Sequence, residues 1–439
     1  MKRIFKGASV LLPDFSETAG DIIVEDGRIA SIGEWDSPRT GECEEVDCAG
    51  LLAIPGLVNC HCHAPMTLLR GVGGGLPLKR WLEEAIFPIE ARLAPEDVAA
   101  GMAWGAAEML ASGTTCVADM YDFPEEGAAA LEAAGMKGNL CRVGLSFSET
   151  EEIPPHRLEE CVAFVAGGRP GSRIARDICV HSEYLTNEKF CRALAEANRD
   201  MRRPVHVHVS ETRKEHEECI ARHGMTPTAY LASTGLFDFG GYAAHCVYCT
   251  DDDFRIMRER GVSLVHNPTS NMKLASGFAR VLAAVKLGIN VALGTDGPAS
   301  NDNLDMFDEM HLASLVHKGL SEDPTVLPPP EIVAMATSNG AKALGREGTG
   351  ALAPGMAADI AFVDMSAPHL KPCVSAANLV VHSMHGADVA MTVVDGEIVY
   401  DARGGKPWEK RFPKFDFAAA KARFAESLAR IGIIRQDMI

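Results

Sequence analysis

The sequence predicts an α/β fold: a (β/α)8 TIM barrel with a small β-sandwich domain formed by both chain ends. Three observations point there. The middle of the chain alternates short apolar runs with helical stretches, the signature of parallel strands joined by crossover helices. Two Asp-Gly pairs between apolar runs, Asp26-Gly27 and Asp395-Gly396, mark similar hairpins near opposite ends of the chain. Histidines and carboxylates recur at the carboxyl ends of successive apolar runs, where barrels of this kind place their chemistry.

The elements follow in order. Residues 1–50 form the first part of the sandwich, with Ile22-Ile23-Val24 and Arg28-Ile29 as the arms of a hairpin. Residues 51–350 form the barrel. Its strands are expected at 51–63, 114–120, 139–147, 178–185, 204–211, 242–247, 262–267 and 289–296, with helices such as 95–112, 187–199 and 304–318 between them. Residues 351–405 complete the sandwich through the run at 358–363 and the hairpin around Asp395-Gly396. Residues 406–439 are a helical tail whose spaced Phe, Ala and Leu from 415 to 433 predict one amphipathic helix.

Composition narrows the class of partner. The 42 basic and 60 acidic residues give a formal charge of -18, which disfavours nucleic acid and anionic membrane surfaces and favours solubility. No apolar run is long enough to span a bilayer, and the start lacks the apolar stretch of a signal peptide. The 13 cysteines are odd in number and scattered, unlike a disulfide framework, so a reducing cytoplasm is expected. Oligomeric state does not follow from the sequence, and a homo-oligomer stays open.

The chemistry begins at Asn59-Cys60-His61-Cys62-His63. Alternation along a strand puts His61 and His63 on one face and Cys60 and Cys62 on the other. One His-x-His pair is weak evidence for a metal. It gains weight from His181, His208, Glu211, His245 and Asp296, each at the end of a later apolar run. Imidazole nitrogen and carboxylate oxygen suit zinc, and His61, His63, His208 and Asp296 supply three of one and one of the other. One divalent ion is expected, zinc first, with iron or manganese as alternatives for the same ligands. Such an ion makes water a nucleophile near neutral pH. Glu211, three residues after His208, is placed to shuttle a proton, and His245 to polarise the attacking water. His206 shares the face of His208 one layer deeper and is expected to be hydrogen-bonded in the barrel. His266 is expected to anchor a loop. Cys246 and Cys249 lack the second cysteine pair of a zinc site. The glycine-dense stretch Gly71 to Gly75 lacks the lysine of a phosphate-binding loop and suggests a lid.

Several segments together resemble the amidohydrolase superfamily, and within it the 5′-methylthioadenosine/S-adenosylhomocysteine deaminases. They are Pro55-Gly56-Leu57-Val58-Asn59-Cys60-His61-Cys62-His63-Ala64-Pro65-Met66, Ile86-Phe87-Pro88-Ile89-Glu90, His208-Val209-Ser210-Glu211-Thr212 and His245-Cys246-Val247. The loop His266-Asn267-Pro268-Thr269-Ser270-Asn271-Met272-Lys273-Leu274 and the run Gly294-Thr295-Asp296-Gly297-Pro298-Ala299-Ser300-Asn301 complete the set. The resemblance implies hydrolytic deamination of adenine nucleosides, with His61, His63, His208 and Asp296 on the metal. It gives Glu211 the transfer of a proton from water to ring nitrogen N1, His245 the orientation of that water, and Asp296 a further proton as ammonia leaves. It also implies that Glu90 binds the ribose hydroxyls, that His181 contacts the substrate, and that Arg142 and Arg157 bind a homocysteine carboxylate. The partner is then a small nucleoside. The alternative is a sister enzyme acting on guanine, cytosine, a triazine or another amino-substituted heterocycle. A barrel that had lost its metal would show broken ligands, and none is broken here.

Overall fold

The structure, a computed structural model, describes residues 2–33, 43–146 and 155–433. The expected strand end at Phe147, and residues 150–154 before Arg157, lie outside the described residues.

Eight strand positions follow one another around a barrel. They are Leu57–Cys62, Thr114–Tyr121, Lys137–Arg142, the split pair Ile174–Arg176 and Ile178–Cys179, Val205–Val209, Gly241–His245, Val262–His266 and Val291–Leu293. Successive neighbours pair in parallel, as in Cys116↔Lys137, Val205↔Gly241 and Leu264↔Val291. The ends of the series meet where Asp296 N donates to His61 O at 2.9 Å and Thr295 N donates to Asn59 Oδ1 at 3.0 Å. Most of these strands are buried on both faces, which is why they read as unbroken apolar runs.

One boundary differs from the expectation. Residues 51–63 are two strands, not one. Leu51–Pro55 pairs antiparallel with Ile360–Asp364 and parallel with Lys2–Leu11, and only Leu57–Cys62 enters the barrel. The chain changes sheets at Gly56, where a Cβ would lie 2.4 Å from the Thr115 side chain, so no larger residue fits that crossing. An apolar run reports burial but not which sheet receives it.

The chain ends build one mixed sheet in the order Glu397–Asp401, Val389–Val394, Ile360–Asp364, Leu51–Pro55, Lys2–Leu11, Glu17–Glu25 and Arg28–Gly33, with Cys43–Asp47 also beside Lys2–Leu11. Phe5 and Phe362 meet at 5.2 Å between ring centroids inside its core, although their strands are not neighbours. Both Asp-Gly turns have two residues at positive φ: Asp26 at 49° and Gly27 at 79°, then Asp395 at 47° and Gly396 at 74°. That geometry twists a two-residue hairpin to match its strands. Lys137, buried at the start of the third barrel strand, bonds Asp359 at 2.7 Å and Asp395 at 2.6 Å and so ties the barrel floor to this sheet.

The expected helices are Pro95–Ala111, Glu188–Met201 and Met306–Ser321. Asn187 and Asp305 cap the latter two, accepting from Phe190 N and Phe307 N. The tail forms Phe417–Ile431, capped by Asp416. It lies against Pro95–Ala111, with Trp104 stacked on Phe424 at 4.7 Å and Arg430 paired with buried Asp97. Its Phe424, Leu428 and Ile431 share an apolar cluster with Met66, Trp81, Ile86 and Val98. Among the described residues, no helix is long and apolar enough to cross a membrane.

Candidate metal centre and active site

Three imidazoles are locked by what their outer nitrogens bond. His63 Nδ1 donates to Met120 O at 2.6 Å and His208 Nδ1 to His181 O at 2.7 Å, while His61 Nδ1 and His206 Nε2 share a hydrogen bond at 2.8 Å. Carbonyls accept only, so on His63 and His208 the proton sits on Nδ1 and the Nε2 lone pair points inward. Those two lone pairs are 3.2 Å apart. His61 Nε2 and His63 Nε2 each lie 3.3 Å from Asp296 Oδ1, and the buried His61 Nε2 has no hydrogen-bond partner. Ligand atoms from His61, His63, His208 and Asp296 all fall within 4.8 Å of one another. Facing lone pairs beside a carboxylate repel unless a cation lies among them, so the donor set fits a divalent metal. Burial lowers the pKa of His61 to about 4 and that of His63 and His208 as well, keeping the rings neutral as ligation requires.

Asp296 is fixed by three donors: Gly297 N at 2.8 Å on Oδ1, and Ser270 Oγ at 2.6 Å and Ser300 Oγ at 2.8 Å on Oδ2. The backbone is strained just where the strands end. Ser210, His245 and Asp296 have φ of 48°, 71° and 63°, a region that residues other than glycine seldom enter. The turns bring His245, Asp296 and, after Ser210, Glu211 onto the cleft. His245 Nδ1 donates to Asn271 Oδ1 at 2.8 Å, which leaves Nε2 3.9 Å from Glu211 Oε2. Glu211 Oε1 accepts from Ser276 Oγ at 3.2 Å, and burial above all pushes its carboxyl pKa up.

Glu215 holds this turn from beneath. Its Oε1 accepts from Ser210 N at 2.8 Å and its Oε2 from Glu211 N at 2.7 Å, while Thr212 caps the helix Arg213–His223. Glutamine has one acceptor oxygen, and its amide would face a backbone N–H. Glu215→Gln should therefore lower turnover about tenfold to a hundredfold through misplacement of Glu211, with metal content unchanged. Steady-state kinetics beside metal analysis checks this, and a rise in KM at constant kcat would contradict it.

Above the side chains of His61, His63, His208 and Asp296 opens a cleft of about 900 Å³, its solvent-filled mouth included. His63, His208, Glu211, His245 and Asp296 line its floor. One wall is apolar and comes from Leu78, Trp81, Leu82 and Phe87, along a short helix Leu78–Arg80, a π-helical turn Trp81–Ile86 and the turn Phe87–Glu90 that follow one another. The glycine stretch expected to be a lid lies behind this wall instead of lining the cleft. A Cβ on Gly73 would meet Ala85 at 2.7 Å and Trp81 at 2.8 Å, and Trp81 Nε1 donates to Val72 O at 3.0 Å.

The remaining expected residues divide into two groups. Glu90 and His181 line the cleft. Glu90 Oε1 accepts from Tyr121 OH at 2.6 Å, and burial raises its pKa to about 7. Burial also lowers the His181 pKa to about 3, so that ring is neutral. Arg142 and Arg157 come together, but neither lines the cleft. Both bond Asp122 Oδ1, and Arg142 also bonds Glu160 Oε2 at 2.6 Å. His206 is hydrogen-bonded as expected, and His266 Nε2 lies 3.2 Å from His317 Nε2. Cys60, Cys62, Cys246 and Cys249 are buried outside the four-ligand group. The sequence reading missed Tyr121 and Asp122, although they close the second strand and fall under the strand-end rule. It gave no role to Asn271 or Ser276, whose loop carries no periodic signal.

Comparison with known proteins gives three kinds of likeness. The sequence model of a family described as "Amidohydrolase family" matches residues 52–399. A protein of Acetivibrio thermocellus named 5-methylthioadenosine/S-adenosylhomocysteine deaminase is 44% identical over 84% of this chain and 86% of its own. One of Methanosarcina mazei named 5′-deoxyadenosine deaminase is 43% identical over 90% of this chain and 92% of its own. The solved structure of an adenosine deaminase from Xanthomonas campestris with bound zinc is similar at a TM-score of 0.91 and 31% identity, covering 98% of this chain and 99% of that one.

Proposed function

The chain belongs to the amidohydrolase family, and from that premise we propose that it deaminates adenine nucleosides by hydrolysis, yielding the inosine analogue and ammonia. The observation that carries this reading is the convergence of three imidazole nitrogens and the Asp296 carboxylate beneath a cleft that also presents Glu211 and Glu90. His61, His63, His208 and Asp296 would hold one divalent ion, zinc in our reading. When bound, that ion supplies a Lewis acid that makes water nucleophilic at neutral pH.

The chain's own residues then divide the work. Glu211 takes the proton from the attacking water and delivers it to ring nitrogen N1, which makes C6 electrophilic. His245, held by Asn271, turns its free Nε2 toward the water and keeps it aligned. Asp296 takes the proton of the hydroxyl added at C6 and passes it to the amino group, so that the C6–N bond breaks with release of ammonia and C6 becomes a carbonyl. His181, neutral at the cleft wall, contacts the base. Glu90 accepts from the ribose hydroxyls, since an ionised carboxylate is purely an acceptor. Apolar side chains of the cleft, Val143 and Leu145 among them, receive a 5′ thioether or 5′-deoxy group. The cysteines are free thiols, which supports a reducing, cytoplasmic setting.

The Glu90 role has a pH signature. With its pKa near 7, the acceptor form is full above that value and is lost as pH falls through it. KM for a ribose-bearing substrate should thus rise as pH drops from 8 to about 6, and Glu90→Gln should raise KM and flatten that dependence. A KM in the Gln variant that still follows the wild-type pH curve would remove Glu90 from ribose binding. The function itself is tested by following the ultraviolet change of adenine to hypoxanthine with adenosine, 5′-methylthioadenosine, 5′-deoxyadenosine and S-adenosylhomocysteine. Turnover of guanine or a triazine, with none of these four, would overturn it.

A further inference from the structure

We propose that Asp122 is a specificity-determining residue, an internal carboxylate that occupies Arg142 and Arg157 and so ranks neutral 5′ substituents above anionic ones. The inference rests on the nucleoside reading above and adds a substrate ranking to it.

The geometry is that of an occupied anion site. One oxygen of Asp122 takes a guanidinium N–H from each arginine, with the Arg157 contact at 2.8 Å. Glu160 takes two more N–H groups of Arg142, at 3.0 and 2.6 Å. Two cations thus face two carboxylates, and no net positive charge is left to draw an anion. The order of the layers matters as much. Asp122 lines the cleft and the arginines do not. Its side chain is 39% exposed, against 13% for Arg142 and 20% for Arg157, so the carboxylate and not the cations is what this part of the cleft presents. Phe123, next in sequence, also lines the cleft and lies under the Arg142 guanidinium at 5.8 Å, holding that cation back. The other acidic groups on the cleft are Glu90, Glu211 and Asp296. A 5′ substituent ending in a carboxylate must therefore displace Asp122 from strong charge-assisted bonds before it gains the same bonds itself. A methylthio or 5′-deoxy group displaces nothing and meets apolar surface at Val143 and Leu145.

The test compares kcat/KM of the metal-loaded enzyme for 5′-methylthioadenosine with that for a 5′-carboxyethylthio analogue, which has a carboxylate and no ammonium group. The wild type should favour the neutral compound. Asp122→Asn keeps the shape but loses the charge, and should move the ratio toward the anionic compound at least tenfold. Adding Arg157→Gln to that variant should remove most of the gain, which a general loosening of the cleft would not do. A ratio that stays put or moves toward the neutral compound in D122N, or a gain that survives loss of Arg157, overturns the proposal. If the wild type deaminates neither compound, the deaminase reading fails separately, and the ranking is then decided by the dissociation constants of the same two nucleosides.

Discussion

Glu211→Gln should yield a folded, metal-loaded protein whose kcat is lower by about two to four orders of magnitude, the usual weight of a positioned proton carrier. The substitution is nearly isosteric, and its amide oxygen can still accept from Ser276, which now bonds Glu211 Oε1. Glu211 is not among the four residues whose ligand atoms converge, so the ion should stay. What is lost is the ability to take a proton from water and hand it on. Ammonia release, measured beside metal content, checks the result. Turnover within tenfold of wild type at equal metal loading would assign the proton transfer to another group.

Removal of the ion should have the second large effect. Prolonged chelation should abolish turnover and lower Tm by several degrees, and both should return on adding zinc. The thermal shift follows because only the native state assembles His61, His63, His208 and Asp296 around one point. A ligand at a thousand times its Kd stabilises the fold by about 4 kcal/mol. The facing lone pairs of His63 and His208, 3.2 Å apart, also repel once the cation is gone. Reconstitution with iron or manganese in parallel shows which metal restores the highest kcat/KM. Full activity after verified removal of all metal would end the hydrolytic mechanism proposed here.

Much of this was legible because barrel chemistry sits in a sequence-visible place. His61, His63, His208, His245 and Asp296 each close an apolar run, and alternation along the first strand suffices to put His61 and His63 on one side. Other features depend on contacts that no local pattern encodes. The apolar run 51–63 looks uniform, yet Gly56 divides it between two sheets because Thr115 approaches it from a strand far along the chain. The resemblance assigns Arg142 and Arg157 to a substrate carboxylate, and only the fold shows that both also bond Asp122 and that Arg142 bonds Glu160. Glu215 looks like an ordinary capping-box residue, and only the fold shows that its oxygens also hold the backbone of Ser210 and Glu211. The glycine stretch showed pliancy but not position, since its place behind Trp81 is set by tertiary packing.

The helix Phe417–Ile431 shares an apolar cluster with Trp81 and Ile86, and this has a consequence for biosynthesis. His61, His63, His208 and Asp296 have all left the ribosome well before that helix is made. A nascent chain halted in between can own His61, His63, His208, Glu211 and Asp296 while the flank of its cleft still lacks the Phe424, Leu428 and Ile431 side of its apolar cluster. Competence to recognise a nucleoside should therefore arrive late in translation, after competence to bind metal.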